Sequence, residues 1–551
     1  MNTKKLGGKR FKTPSRKRTS LDAKERLPIS FRHPDDYRWN NRFFKGRSLK
    51  IFQQLEQARN EALANIYELD RPPALQAIHV GEEIVFLKRE DQSRIRSYKW
   101  RGAFNKLRHQ VDSGDRGPFV ATSAGNHAQG VALAASRLDV QAFVFMPRTT
   151  PRLKQEAVVR HGGNHVTVKL VGDNFEQASI SARKFAEDNS CTVIEPFDDL
   201  HVIAGQSTIA DEILQASPEM DDLYCPVGGG GLVSGLAYAC DQLKSKARVI
   251  GVEVTGQDSM NQSLIAGHRI RLDRVDLFCD GTAVPQPGQW TFDICKRFLH
   301  RTVTVTNEQV CAAIQLLWEQ ARLIPEPSGA IALAGLIADR KHSGENLRNR
   351  RCCAIVTGAN TDFLTLPVIV RKSQLAQPSR CYYRFEIDER NGSLIQLLDL
   401  LFEDVNIVDF QYGKTSIHQA YPVLGLYATP KQQEKILERL ESNRLSAEDV
   451  SAKQATQFRV IPFRPDLTNH TLFLEVDFPD RPGALREMMR EISSLTNICY
   501  FNFNDTGQSQ GHALIGFEFA NPDKQQELTD KLTRQEIPYR IADMTGILTF
   551  S

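Results

Sequence analysis

Three short segments of this chain carry residue types at a spacing that can do chemistry together. Ser97-Tyr98-Lys99-Trp100-Arg101-Gly102-Ala103 sets an amine ahead of a run in which Ala103, Phe104, Leu107 and Val111 form one apolar helical stripe. Ser123-Ala124-Gly125-Asn126-His127-Ala128-Gln129-Gly130 is a turn of small residues able to aim backbone N–H groups at a carboxylate. Gly228-Gly229-Gly230-Gly231-Leu232 is side-chain-free backbone that lets several N–H groups converge on one phosphate. An amine, a carboxylate site and a phosphate cradle are the parts needed to hold a phosphorylated aldehyde beside an anionic substrate.

The aldehyde that fits this description is pyridoxal 5'-phosphate. A lysine at a helix start is disfavoured as the cation, and burial acts in the same direction. The neutral amine of Lys99 can form an imine and, once released, remove an α-proton. Asn126 offers an amide for a phenolic oxygen. His127 is a tempting base, but its simpler role is to shape the turn through a local hydrogen bond. Thr357, at the end of Ala354-Ile355-Val356, offers a neutral hydroxyl suited to an unprotonated pyridine nitrogen. A dinucleotide site competes for the glycine run, and Glu253 stands at a plausible ribose distance. Counting from Gly229, however, the sixth place is Ser234, which breaks that fingerprint.

These segments need elements to position them. Between Ile78 and Phe363 apolar strand-like runs alternate with amphipathic helical stretches: Glu83 to Leu87, Pro118 to Thr122, Ala142 to Met146, His165 to Leu170, Leu223 to Val227, Val249 to Val254 and Ala354 to Thr357. Such alternation predicts an α/β fold with open, largely parallel sheets, whose ligands lie at the carboxyl ends of the strands. Ser123, the glycine run and Thr357-Gly358 each follow such a strand.

Beyond Lys372 the character changes. An internal repeat at an offset of 91 residues matches Arg390 to Arg481, Gly392 to Gly483, Leu394 to Leu485, Asn406-Ile407 to Asn497-Ile498 and Phe410 to Phe501. Each copy reads as strand, glycine turn, helix, strand, as in α+β ferredoxin-like modules. The expected domains are a basic tail over 1–44, a catalytic domain over 45–372, and two modules over 380–452 and 466–551. The expected linkers are Arg371 to Ser379 and Ser451 to Pro465.

At 551 residues, 41% hydrophobic and 25% charged, the chain has the composition of a globular protein. No stretch approaches the roughly 18 apolar residues that span a membrane. The net charge of +4 conceals a tail, residues 1–26, with ten Lys or Arg against two acidic residues; the remainder is near neutral. That tail reads as solvated and disordered, with an organelle transit peptide and weak nucleic-acid contact as alternatives. Ten cysteines without a CxxC form neither a disulfide framework nor a zinc pattern, so no metal is expected, and a reducing compartment such as the cytoplasm fits.

With these residues the chain resembles the fold-type II, tryptophan synthase β-like, pyridoxal phosphate enzymes, and among them the biosynthetic threonine dehydratases with two ACT-like regulatory domains. The resemblance runs over about residues 45–551. It also includes Met146-Pro147, Thr150-Pro151, Lys154, Pro196-Phe197-Asp198-Asp199, Ala204-Gly205-Gln206, Glu326-Pro327-Ser328-Gly329-Ala330 and Gly358-Ala359-Asn360. It implies that Lys99 bears the cofactor, that Asn126 contacts its ring hydroxyl, that Gly228, Gly229, Gly230, Gly231 and Leu232 hold its phosphate, and that Thr357 faces its ring nitrogen. Ser123, Ala124, Gly125, Asn126 and His127 would receive the substrate carboxylate.

The implied reaction converts L-threonine to 2-oxobutanoate and ammonia, opening isoleucine biosynthesis. The modules would bind isoleucine, with valine opposing it, near the turns containing Arg390, Gly392, Arg481 and Gly483, in a homotetramer. Gln92 to Arg96 lacks the family's usual proline, Tyr98 and Trp100 replace a phenylalanine and a smaller aliphatic residue, and Thr357 stands where serine is general. Those departures keep L-serine dehydration, racemisation and β-replacement open. A non-catalytic amino-acid sensor is the alternative of another class.

Overall fold

The computed structural model describes residues 47–342, 349–375, 380–401, 405–451, 453–457, 459–479, 484–492, 495–504 and 510–544. The basic tail and the Arg481–Gly483 turn lie outside them. Contacts divide the chain into two units, one ending at Phe363 and the other beginning at Leu364.

The first unit contains two sheets. In the larger, the strands run in the order Leu75–Val80, Glu83–Arg89, Cys352–Val356, Asp222–Pro226, Arg248–Val254 and Arg301–Val305. Only the Leu75–Val80 edge is antiparallel to its neighbour. The strands Cys352–Val356 and Asp222–Pro226 are buried at every residue, as strands covered on both faces must be. The smaller sheet, ordered Val166–Leu170, Ala142–Met146, Phe119–Thr122 and Thr192–Val193, is wholly parallel. The turn at Ser123, the glycine run and Thr357 follow the carboxyl ends of Phe119–Thr122, Asp222–Pro226 and Cys352–Val356.

The helix Trp100–Asp112, which begins immediately after Lys99, is pressed against the helix Leu200–Ala216. Glycines allow this approach: a Cβ at Gly205 would sit 2.6 Å from the Arg101 carbonyl oxygen. Trp100 is fully buried in a cluster with Ile95, Phe104 and Phe119, so its bulk serves the core rather than the reacting centre.

The second unit holds the two repeats. The first module orders its strands Ser446–Asp449, Arg380–Asp388, Val423–Tyr427, Asn406–Gly413; the second orders Tyr539–Ile541, Thr471–Pro479, Gln510–Glu518, Asn497–Asn504. The first strand, the first helix and the second strand start at Arg380, Ser393 and Asn406 in one copy and at Thr471, Ala484 and Asn497 in the other. That is the 91-residue offset read from the sequence. The modules join edge to edge, with Asn406–Gly413 antiparallel to Asn497–Asn504 and Gln411 opposite Asn502. Gln411 and Asn502 are themselves repeat-related, so a pseudo-two-fold axis passes between them. Repeat-related Phe410 and Phe501 stack there, with ring centroids 4.3 Å apart.

The expected linkers are corrected in part. The helix Leu366–Leu375 runs into the first, and the short helix Gln454–Gln457 lies within the second.

Candidate active site

The Lys99 segment is spliced to the end of the strand Cys352–Val356. Ser97 pairs with Gly358, and the Tyr98 N–H donates to the Thr357 carbonyl at 3.1 Å. Lys99 Nζ donates to the Pro196 carbonyl at 3.1 Å. Burial lowers the Lys99 pKa to about 8, with the Glu326 carboxylate opposing. Pro196 is held because Asp198 and Asp199 each cap a helix. Asp198 accepts the N–H groups of Gln289, Trp290 and Thr291, and Asp199 those of His201 and Val202.

Phe197 of the same strap lies against the glycine run. Any side chain at Gly229 would overlap its ring, and Gly230 sits at φ +95°. The glycines therefore serve protein packing as well as any phosphate. The Gly229 carbonyl accepts from the Gly288 N–H at 3.3 Å and from Thr291 Oγ1 at 2.6 Å, which fixes the turn. Among the described residues no protein acceptor takes the N–H groups of Gly228 to Leu232. They stand at the start of the helix Gly231–Gln242, where an anion is favoured.

Asn126 opens the helix Asn126–Leu138 after the Ser123 turn. Its Nδ2 donates to Glu326 Oε1 at 2.7 Å, and its Oδ1 accepts from Asn360 Nδ2 at 2.6 Å. Ser123 Oγ accepts the Gly125 N–H at 3.1 Å, closing the turn. His127 takes the plain role: buried, it donates Nε2–H to the Ile194 carbonyl at 3.0 Å, and burial together with the Lys99 charge lowers its pKa to about 4. It is neutral near pH 7. Thr357 is buried, and its hydroxyl reaches the Ser328 carbonyl at 3.3 Å. The Tyr98 phenol is raised by burial, then by Cys225 and Glu326, and stays protonated.

Glu253 settles the competing dinucleotide reading. Fully buried, it accepts the Met260 and Asn261 N–H groups at 2.9 and 2.7 Å, and burial pushes its pKa up to about 8. A carboxyl used as the cap of the helix Ser259–Ala266 is not offered to a ribose.

Two residues beyond Lys99, Arg101 is fully buried and bidentate to two carboxylates. It meets Glu90 at 2.9 and 3.0 Å and Glu212 at 2.6 and 2.9 Å. Lys88 adds a contact to Glu212 at 2.5 Å. Burial opposes the Glu212 carboxylate, but Arg101 and Lys88 outweigh it and hold its pKa low.

In the second unit Arg390 and Gly392 line a recess with Glu389, Ser393, Tyr412, Asn497 and apolar side chains that include Ile387 and Ile492. Gly392 has φ +88°, and a Cβ there would meet nothing within 4 Å, so the turn geometry rather than crowding asks for glycine. Arg481 and Gly483 lie outside the described residues. Glu389 was not singled out by sequence; it accepts from the Tyr412 hydroxyl and from Asn497 Nδ2 at 2.9 Å, groups brought in by two different strands.

Residues 69–358 match the family model described as pyridoxal-phosphate dependent enzyme. The chain belongs to that family. A second model, the C-terminal regulatory domain of threonine dehydratase, matches residues 467–545 within the second module. The chain is 36% identical to the biosynthetic L-threonine dehydratase of Burkholderia multivorans, over 80% of this chain and 87% of that protein. It is 32% identical to the chloroplastic biosynthetic threonine dehydratase of Arabidopsis thaliana, over 92% and 86%. The processed form of threonine deaminase isoform 2 from Solanum lycopersicum superposes with a TM-score of 0.54 at 37% identity, over 58% of this chain and 94% of that one. The fold is thus that of the type II pyridoxal phosphate enzymes.

The residues fit the cofactor this family uses. The glycine run supplies unsatisfied N–H groups at a helix start, and Lys99 supplies an amine whose proton is loosely held. Asn126 keeps one Nδ2 hydrogen uncommitted.

Proposed function

We propose that this chain is an L-threonine dehydratase, converting L-threonine to 2-oxobutanoate and ammonia under control by an amino acid bound at its C-terminal modules. The observation that carries this reading is Lys99, partly buried and with a lowered pKa, beside a glycine run with free N–H groups, in a chain whose relatives are threonine dehydratases over most of its length. Bound pyridoxal phosphate supplies an electron sink for negative charge at the substrate Cα. The N–H groups of the Ser123-Ala124-Gly125-Asn126-His127 turn receive the substrate carboxylate. Lys99 takes the α-proton as a neutral amine. Gly228 to Leu232 hold the phosphate, and Thr357 lies at the ring nitrogen as an uncharged partner. His127 is a poor proton acceptor near pH 7, because burial and the Lys99 charge lower its pKa to about 4.

The test is 2-oxobutanoate formation from L-threonine against pyruvate formation from L-serine, each over a range of concentrations. The reading expects the larger kcat/KM on threonine. Preference for serine would move the chain to the serine enzymes of the same fold, and no ketoacid with either would favour a sensor.

The recess at Arg390 and Gly392 takes isoleucine, with valine as its competitor. The start of the helix Ser393–Leu401 faces the effector carboxylate, Glu389 its ammonium and Ile387 and Ile492 its side chain. Glu389→Ala is expected to raise the isoleucine concentration for half-maximal effect about tenfold or more, the value of a hydrogen bond to a charged group, with threonine turnover in its absence unchanged. A normal isoleucine response in that variant would place the effector elsewhere. The assembly is a homotetramer, which sedimentation tests. All ten cysteines are free thiols, which supports a reducing compartment. Among the described residues no helix is long and apolar enough to cross a membrane.

A further inference from the structure

Asn126, Asn360 and Glu326 form a chain of amides and acid whose orientation is determined from one end. The Ile95 carbonyl can only accept, so the atom facing it at 2.8 Å is Asn360 Nδ2. The same nitrogen lies 2.6 Å from Asn126, which must therefore present Oδ1 there. Asn126 Nδ2 is thereby turned to Glu326 Oε1 at 2.7 Å. Glu326 itself is locked: its N–H donates to the Gly358 carbonyl at 3.1 Å, and a Cβ at Gly358 would lie 2.6 Å from its Oε1. The residue is 7% exposed.

We propose that Glu326 is a positioning residue for cofactor binding: by taking one Nδ2 hydrogen of Asn126 it holds the other towards the ring oxygen of pyridoxal phosphate. The inference rests on the assignment of Asn126 to the cofactor ring. An acceptor at this place need not touch cofactor or substrate to matter: Asn360 decides which end of the Asn126 amide is Oδ1, and Glu326, taking one hydrogen of the Nδ2 end, sets the twist of the amide and so the direction of the other hydrogen. The surroundings suit an acceptor of variable charge. Lys99 and Tyr98 face Glu326 from the start of the helix Trp100–Asp112, Cys279 and Asp280 from the neighbouring turn, and Lys154, paired to Asp280 at 2.7 Å, from the helix Arg152–Gly162. Burial, then Asp280, pushes the Glu326 pKa up to about 7, against the Asn126 bond, Lys154 and the Asn360 N–H. Both the acid and its anion can accept from Asn126.

The test titrates full-length apoprotein with pyridoxal phosphate and reads the dissociation constant from cofactor absorbance. Glu326→Ala is expected to weaken binding about tenfold in the parent and less than about twofold in an Asn126→Ala background, because the effect passes through Asn126. Glu326→Gln, which keeps an oxygen facing Asn126, should restore binding to within about threefold of the parent. Equal losses in both backgrounds, or no loss from Glu326→Ala, would overturn the proposal while leaving the Asn126 assignment intact. Unchanged binding by Asn126→Ala alone would overturn both. Thermal unfolding of each apo variant shows that it is folded, and the near-isosteric Gln variant keeps the comparison available if the Ala variant is not.

Discussion

Lys99→Ala is expected to cut 2-oxobutanoate formation from L-threonine by at least about 10³-fold, the scale of a positioned proton-transfer group. The loss combines two roles, covalent attachment of the cofactor and removal of the α-proton, so it cannot be divided between them. Among the described residues the side chain has one protein hydrogen bond, to the Pro196 carbonyl, so little of the fold depends on it. The glycine run, unchanged in the variant, still offers its N–H groups to the phosphate. Measured side by side, cofactor should remain bound, less tightly, while ketoacid formation disappears. Substantial turnover in Lys99→Ala would assign the proton transfer to another group.

The second large effect falls on stability. Arg101→Met should destabilise the first unit by about 3–5 kcal/mol, the cost of leaving buried carboxylates without their cation. Among the described residues Glu90 and Glu212 would keep Lys88 as their one cation, with the Tyr67 hydroxyl still donating to Glu212 at 2.7 Å. In the variant at least one carboxyl should have a folded-state pKa above its unfolded value. Such a group contributes stability that is present at low pH and lost as pH rises through the folded pKa. The deficit relative to the parent should therefore be smaller at pH 5 than at pH 8. Thermal unfolding of the apoprotein at the two pH values checks this, and an equal deficit at both would mean that neither carboxyl takes up a proton.

Much of this arrangement was legible in the sequence for physical reasons that can be named. Lys99 was found because the stripe Ala103, Phe104, Leu107 is local and periodic, so the helix start is readable without the fold. The 91-residue repeat was found because both copies bury the same positions, and the pairing of Gln411 with Asn502 shows that the copies also pair symmetrically.

What escaped the sequence depends on groups brought together from distant parts of the chain. Glu326 and Asn360 were visible only as members of motifs, and their roles appear when the ends of two segments meet at Asn126. Thr291 carries no local signal, yet its hydroxyl fixes the glycine turn. The glycine run was read for phosphate alone, whereas the Phe197 ring also demands it. Trp100, visible in the sequence only as a replacement for a smaller aliphatic residue, proves to be a core residue of the cluster around Phe104.

Borohydride reduction of the full chain loaded with pyridoxal phosphate, followed by peptide mass mapping, tests the central assignment most directly. The account predicts one pyridoxyl group per chain, on Lys99, in the peptide containing Tyr98 and Trp100. Stoichiometric label on another lysine, or none on Lys99, would contradict it.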